Sequence, residues 1–290
     1  MDNERFKVGV FGVGHLGSIH LKCLGMIEQA VVTGFYDPDD EAAARAMNTF
    51  GVQRYDAVDA LLEEVDIADI VAPTEMHFEL AKKALEHDCH VFIEKPVCSN
   101  LEEGESLLKI SEKGEKKVQI GHVERFNPAM LALRDEELNP KFIEGHRLST
   151  FNPRGTDVSV VMDLMIHDLD IILQLVSSEV TDVQANGVSV VSETPDICNA
   201  RITFENGCVA NLTASRMSFK QLRKIRLFQR DAYISMDFLE KSSAIIRLFD
   251  EGSDNIPKDG EFFELDTPTG KKKIQMTKPT PPEVNAIEME

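Results

Sequence analysis

Phe6-Lys7-Val8-Gly9-Val10-Phe11-Gly12-Val13-Gly14-His15-Leu16-Gly17 is the stretch that decides the architecture of this 290-residue chain. An apolar run passes directly into G-x-G-x-x-G, and a helical pattern over residues 15–28 opens inside the glycines. A strand, glycine turn and helix in this order let backbone amides at a helix start cradle a pyrophosphate. Gly12 would allow the tight turn, Gly14 the close approach of backbone to phosphate, and Gly17 the packing of helix on strand. Asp37 strengthens the reading: it follows the apolar run 31–36, twenty positions after Gly17. A carboxylate there accepts hydrogen bonds from ribose hydroxyls and repels a 2′-phosphate. Pro38, Asp39, Asp40 and Glu41 come next, with no arginine among them. The expected cofactor is NAD rather than NADP.

Further apolar runs at 67–72, 90–93 and 117–120 alternate with amphipathic stretches at 41–50, 76–87 and 101–113. Short strands with helical crossovers predict a doubly wound parallel sheet over residues 1–122. Ligands bind outside the carboxyl ends of such strands, where Ala72-Pro73-Thr74 and Glu94-Lys95-Pro96 fall. Residues 123–290 read differently. A helical pattern at 157–176 is followed by strand-like runs at 180–191, 199–205, 208–215, 224–229, 233–238 and 244–249, with an Asn206-Gly207 hairpin signal. The fold class expected is α/β, with a second α+β domain built on a large, mostly antiparallel open sheet.

Composition narrows the function. Lys and Arg number 31 against 50 Asp and Glu, a net charge of −19, which argues against binding nucleic acid by coating phosphates. No apolar stretch approaches the ~20 residues of a membrane span, and the charged start lacks the apolar core of a secretory signal. The five cysteines form no C-x-x-C pair, so no disulfide framework or cysteine zinc site is expected. The chain reads as a cytoplasmic globular protein with no metal.

In the 157–176 pattern Asp163, His167, Asp170 and Gln174 form a narrow polar stripe, and Asp168 interrupts the apolar remainder. Solvent faces are usually wider and richer in Lys and Glu. Three readings fit: a thin exposed edge or satisfied His–Asp pair, a metal site sharing Asp163 and His167, or a general base, His167, oriented by Asp163. Spacing alone does not choose.

Taken together, Gly12–Gly17, Asp37, Ala72–Thr74 with His77, Glu94-Lys95-Pro96 and Asp163-x-x-x-His167 resemble the glucose–fructose oxidoreductase / inositol dehydrogenase (Gfo/Idh/MocA) family. The resemblance implies a Rossmann domain followed by an α/β domain whose sheet builds a homo-oligomer, a dimer or tetramer. It implies an NAD site at Gly12, Gly14, His15, Leu16, Gly17, Asp37, Pro73, Thr74, His77, Glu94 and Lys95. It also implies that Lys95 hydrogen-bonds the reacting hydroxyl, that Asp163 helps hold substrate, and that His167 is the catalytic acid or base. The segment Gly121-His122-Val123-Glu124-Arg125-Phe126-Asn127-Pro128 is similar to the branch that oxidises the 3-hydroxyl of UDP-N-acetylglucosamine or its uronic acid; otherwise it is a plain domain crossover. A diphosphate substrate needs local cations, for which Arg125, Arg154, Arg216 and Lys220 are available, with Asn127 beside them. A further helical segment after Glu290 is implied too, so the chain is expected to be shortened there. The alternatives are another polyol such as inositol or a free hexose, a reductase of a keto-sugar or tetrapyrrole, redox-neutral glycoside cleavage, and a non-enzymatic NAD sensor on the same fold.

Overall fold

The computed structural model describes residues 5–152, 158–253, 256–268 and 270–290. They divide into two compact units, one of residues up to 123 with 287–290, the other of residues 124–286.

The first unit is a parallel sheet in the order β2-β1-β3-β4-β5. Its strands are β1 (Phe6–Phe11), β2 (Ala30–Tyr36), β3 (Ile67–Ile70), β4 (His90–Glu94) and β5 (Val118–Gly121). Between them run α1 (His15–Leu24), α2 (Asp40–Phe50), α3 (Val58–Leu62), α4 (Thr74–Glu86) and α5 (Leu101–Lys113). Burial of both sheet faces explains the continuous apolar runs: Val8, Val10, Phe11, Ala68, Ile70, Val91 and Ile93 are all at most 2 % exposed. The chain leaves β1 for β2 on one side and returns to β3 on the other, so the strand order reverses between β1 and β3. That is the position of the ligand crevice in open α/β sheets.

The second unit opens with a 3₁₀ turn, Val123–Phe126, and the short α6 (Pro128–Leu131). Its sheet has nine strands in the order β13-β14-β12-β11-β10-β6-β9-β8-β7. They are β6 (Phe142–Leu148), β7 (Val180–Val188), β8 (Ile197–Phe204), β9 (Val209–Ser215), β10 (Leu222–Phe228), β11 (Ala232–Asp237), β12 (Ser242–Asp250), β13 (Phe262–Thr267) and β14 (Gly270–Thr277). All neighbours are antiparallel except β6 and β9. The Asn206-Gly207 signal marks a true hairpin: Gly207 has φ +80° and Asn206 Oδ1 accepts from the Cys208 amide at 2.9 Å. One sheet face packs against α7 (Ile166–Leu175), burying Ile143, Leu212, Ile225 and Ile234 with Ile171 and Ile172. The chain ends in α8 (Ala286–Met289).

One sequence expectation needs correction, and three strands fall outside the runs expected. The 157–176 helix is not uniformly α: Val161–Met165 is π-helical and regular α-helix begins only at Ile166, while residue 157 lies outside the described residues. Strand β6 lies outside the runs expected from the sequence, because FIEGHRL carries four polar or glycine positions in its middle. Its inward-facing Arg147 is 2 % exposed, a burial that only its ionic partners permit. The outer strands β13 and β14 were also missed, since their residues are largely exposed and Lys271–Lys273 reads as solvated loop.

Candidate active site

In the first unit a cavity of about 700 Å³ opens at the strand reversal, lined by Gly12, Gly14, Asp37, Arg45, Pro73 and Met76 among others. Gly12 has φ +98°, and a Cβ there would meet the Ala72 backbone at 2.8 Å. A Cβ on Gly17 would lie 2.0 Å from the Gly12 carbonyl oxygen. The third glycine therefore packs on the turn itself more than on a strand. Gly14 differs: nothing lies within 4 Å of its would-be Cβ, and its φ of −62° suits any residue. The open space over Gly14 is where backbone can approach a phosphate. Helix α1 has no side-chain N-cap and no acidic residue in its first turn, so its positive end is left for an anion.

Asp37 is 9 % exposed. Its Oδ2 accepts from the Val13 amide at 2.7 Å and its Oδ1 from the Asp39 amide at 2.8 Å. Each carboxylate oxygen keeps a lone pair for a ribose hydroxyl. Asp39 caps α2 through the amides of Glu41 and Ala42, which hold its carboxyl below the usual carboxylate range. Two carboxylates thus stand together just after β2, an environment that disfavours a 2′-phosphate. Arg45, missed in the sequence because it reaches the cavity only through the packing of α2, has Glu41 3.7 Å away. These residues fit NAD: an anion cradle for the pyrophosphate and carboxylates for the ribose.

Of the other expected cofactor residues, His15 is exposed and Leu16 half-buried at the start of α1, and Pro73 and Thr74 open α4. His77 and Glu94 are buried and tie neighbouring elements together. His77 is 1 % exposed, with Nδ1 2.8 Å from the Pro96 carbonyl and Nε2 2.8 Å from the Ala72 carbonyl; it braces the ends of β3 and β4 against each other. Glu94 is buried, with Oε1 3.3 Å from His20 Nε2 and Oε2 accepting from the Lys95 amide at 3.1 Å. Lys95 itself is half-buried, joined to Pro96 by a cis peptide.

We expect Gly14→Ala to separate fold from ligand. Thermal stability should stay within about 0.5 kcal/mol of the parent, while NAD affinity in a fluorescence titration falls by about tenfold or more, the cost of intruding on a close backbone–phosphate contact.

In the second unit the polar stripe divides. Asp163 lies in the π turn and His167 in the first turn of α7, both half-buried. Four positions are slightly more than an α turn and slightly less than a π turn, so the two residues share one side of the helix. Such π stretches concentrate at functional sites. The lower stripe is a clamp: Asp170 takes Arg125 in a bidentate pair at 2.6 and 2.8 Å. With the Gln174 amide turned to face the guanidinium, its oxygen lies 2.7 Å from Arg125 Nε.

Arg125, expected as a cation for substrate, is engaged here by Asp170. The Asn127 amide donates to Glu124 Oε2 at 2.8 Å and the Phe238 carbonyl at 3.1 Å, and its oxygen accepts from the Ala129 amide at 3.0 Å. Arg216, 3 % exposed, donates to the Val158 and Pro195 carbonyls. Lys220 is exposed, and Arg154 lies outside the described residues.

Beneath α7 runs a buried ionic chain the sequence did not reveal. Arg147 Nη1 donates to Glu124 Oε1 at 2.7 Å, and its Nε and Nη2 donate to Asp168 Oδ1 at 2.9 and 2.7 Å. Burial pushes the Asp168 carboxyl up despite the opposing pull of Arg147. Among the described residues no three His, Cys, Asp or Glu side chains gather to hold a metal ion, and no helix is long and apolar enough to cross a membrane.

Comparison with known proteins agrees with this architecture. Residues 6–122 match the model of an oxidoreductase family with an NAD-binding Rossmann fold, and residues 119–234 match the GFO/IDH/MocA C-terminal domain. The chain is 39 % identical over 252 residues to UDP-N-acetylglucosamine 3-dehydrogenase from Acidithiobacillus ferrooxidans, covering 87 % of this chain and 79 % of that one. A crystal structure of that dehydrogenase superimposes with a TM-score of 0.85 at 34 % identity, covering 99 % of this chain and 86 % of the other. Myo-inositol 2-dehydrogenase from Thermotoga maritima is 25 % identical over 276 residues, 89 % of this chain and 82 % of that one. The chain belongs to the Gfo/Idh/MocA family of NAD-dependent oxidoreductases.

Proposed function

We propose that this chain oxidises the C3 hydroxyl of a UDP-linked N-acetylhexosamine, with Lys95, Asp163 and His167 as its catalytic residues. The observation that carries the catalytic reading is the Asp163–His167 pair at a π–α junction, in a chain whose other unit presents the glycine cradle and Asp37. The choice of substrate is supported by the 39 % identity to a UDP-N-acetylglucosamine 3-dehydrogenase. Bound NAD⁺ supplies the hydride acceptor. His167 takes the proton of the sugar hydroxyl as the carbinol hydrogen leaves with its electron pair, and the carbinol becomes a ketone. The Lys95 ammonium attracts the developing alkoxide, an interaction that strengthens toward the transition state. Asp163 orients the imidazole or a neighbouring substrate hydroxyl. We place the enzyme in the cytoplasm as a homo-oligomer joined through the second unit's sheet, whose β7 residues, Val180, Val183 and Val188 among them, are exposed.

The test is a substrate panel with NAD⁺: UDP-N-acetylglucosamine, its uronic acid, free N-acetylglucosamine and myo-inositol, followed by NADH absorbance and product mass. The expected result is NADH together with a UDP-sugar lighter by two hydrogens, its ketone assigned to C3. Turnover of inositol or the free sugar alone would keep the dehydrogenase and discard the nucleotide-sugar substrate.

A further inference from the structure

A buried triad in the first unit takes no part in the chemistry above. His20, on α1 three residues after Gly17, points its Nδ1 at both oxygens of Asp69 on β3, at 3.2 and 3.1 Å. Its Nε2 lies 3.3 Å from Glu94 Oε1 at the end of β4. The three side chains are 6 %, 6 % and 11 % exposed. Glu94 spends its second oxygen on the backbone amide of Lys95, at 3.1 Å. On neighbouring β5, a Cβ on Gly121 would come within 3.0 Å of the Glu94 carboxyl carbon, so the carboxylate is held against backbone on that side. The Phe92 ring meets His20 edge-on at 5.8 Å.

Each ring nitrogen faces a carboxylate: Nδ1 hydrogen-bonds Asp69, while Nε2 and Glu94 Oε1 stand at ion-pair distance without hydrogen-bond geometry. Burial by itself disfavours the charge, but the contacts with Asp69 and Glu94 outweigh it and raise the His20 pKa to about 10. A buried charge of this kind holds its partners tightly, since either would otherwise be left uncompensated.

We propose that His20 is a positioning residue for Lys95: it fixes the Glu94 carboxylate, which in turn holds the Lys95 backbone amide. The helix that begins at the glycine cradle thereby sets the placement of Lys95. The inference rests on the catalytic reading of Lys95, and the experiment separates the two.

Amide hydrogen exchange of the whole 290-residue chain, resolved at Lys95, gives a readout independent of activity. In His20→Gln the Lys95 amide should exchange about tenfold faster or more, with amides of β1 and β3 unchanged. In parallel, turnover should fall about tenfold in His20→Gln, yet the same change made in Lys95→Ala should cost nothing further, the non-additivity of residues acting as one unit. Unchanged Lys95 exchange overturns the proposal, as does an equal fractional loss of turnover in both backgrounds, which marks a merely structural role. Full turnover in Lys95→Ala removes the catalytic reading of Lys95, and with it the positioning role, even where exchange responds. Should His20→Gln fail to fold, Asp69→Asn, which loosens the ring without touching Glu94 or Lys95, is held to the same outcomes in the same direction.

Discussion

His167→Ala lowers turnover by about 10²–10⁴-fold, the range that a positioned general acid or base contributes, and leaves NAD affinity within about twofold. The two effects separate because His167 belongs to α7 of the second unit, whereas the glycine cradle and Asp37 belong to the first. The side chain is half-buried near the start of α7, so alanine, a strong helix former, costs the helix little. Lys95→Ala should fall in the same range through a different route, since it removes charge stabilisation that grows as the alkoxide forms. Steady-state kinetics with a parallel NAD titration checks both. Wild-type turnover in either variant would remove that residue from the mechanism. A loss confined to NAD affinity would move it to cofactor binding.

Arg147→Met destabilises the second unit by about 3–5 kcal/mol, because it leaves Asp168 buried without its hydrogen-bonded counter-charge and Glu124 with only Arg223, 3.8 Å away. That is a large part of the 5–15 kcal/mol by which a typical protein is stable. The deficit should narrow on acidification. Burial already raises the Asp168 carboxyl above its ordinary value, and removal of the guanidinium raises it further. The folded variant then binds protons that the unfolded chain does not, so its stability falls as pH rises through the interval between the two values and recovers below it. Urea unfolding at pH 7 and pH 5 measures this. An equal deficit at both pH values would show that the carboxylates are not the source. Replacing Glu124, Arg147 and Asp168 together by apolar residues of similar volume should restore most of the loss. Activity should fall in Arg147→Met as well, since Asp168 adjoins His167 on α7.

The first unit was almost wholly legible from its residues. Strands buried on both faces leave continuous apolar runs, and the glycine turn declares itself largely locally: Gly12 has a positive φ, and Gly17 packs on the Gly12 carbonyl five residues back. The hairpin at Asn206-Gly207 was legible for the same reason, since a positive φ is a local requirement. The catalytic candidates came from a resemblance between motifs rather than from spacing, which left the Asp163–His167 stripe open to three readings.

The features that escaped depend on partners remote in sequence. Arg147 makes β6 look like a loop until Asp168, 21 residues away, and Glu124, 23 residues away, neutralise it. Arg125 reads as an available cation, and its bidentate pairing with Asp170, 45 residues on, cannot be seen in the sequence. His20 is one polar residue on an amphipathic helix until Asp69, 49 residues on, and Glu94 enclose it. Backbone period, glycine conformation and apolar burial are properties of neighbouring residues, so the chain's order alone settles them. Whether a charge can be buried, and which group it then holds in place, depends on desolvation weighed against a counter-charge, and only the folded chain brings the two together.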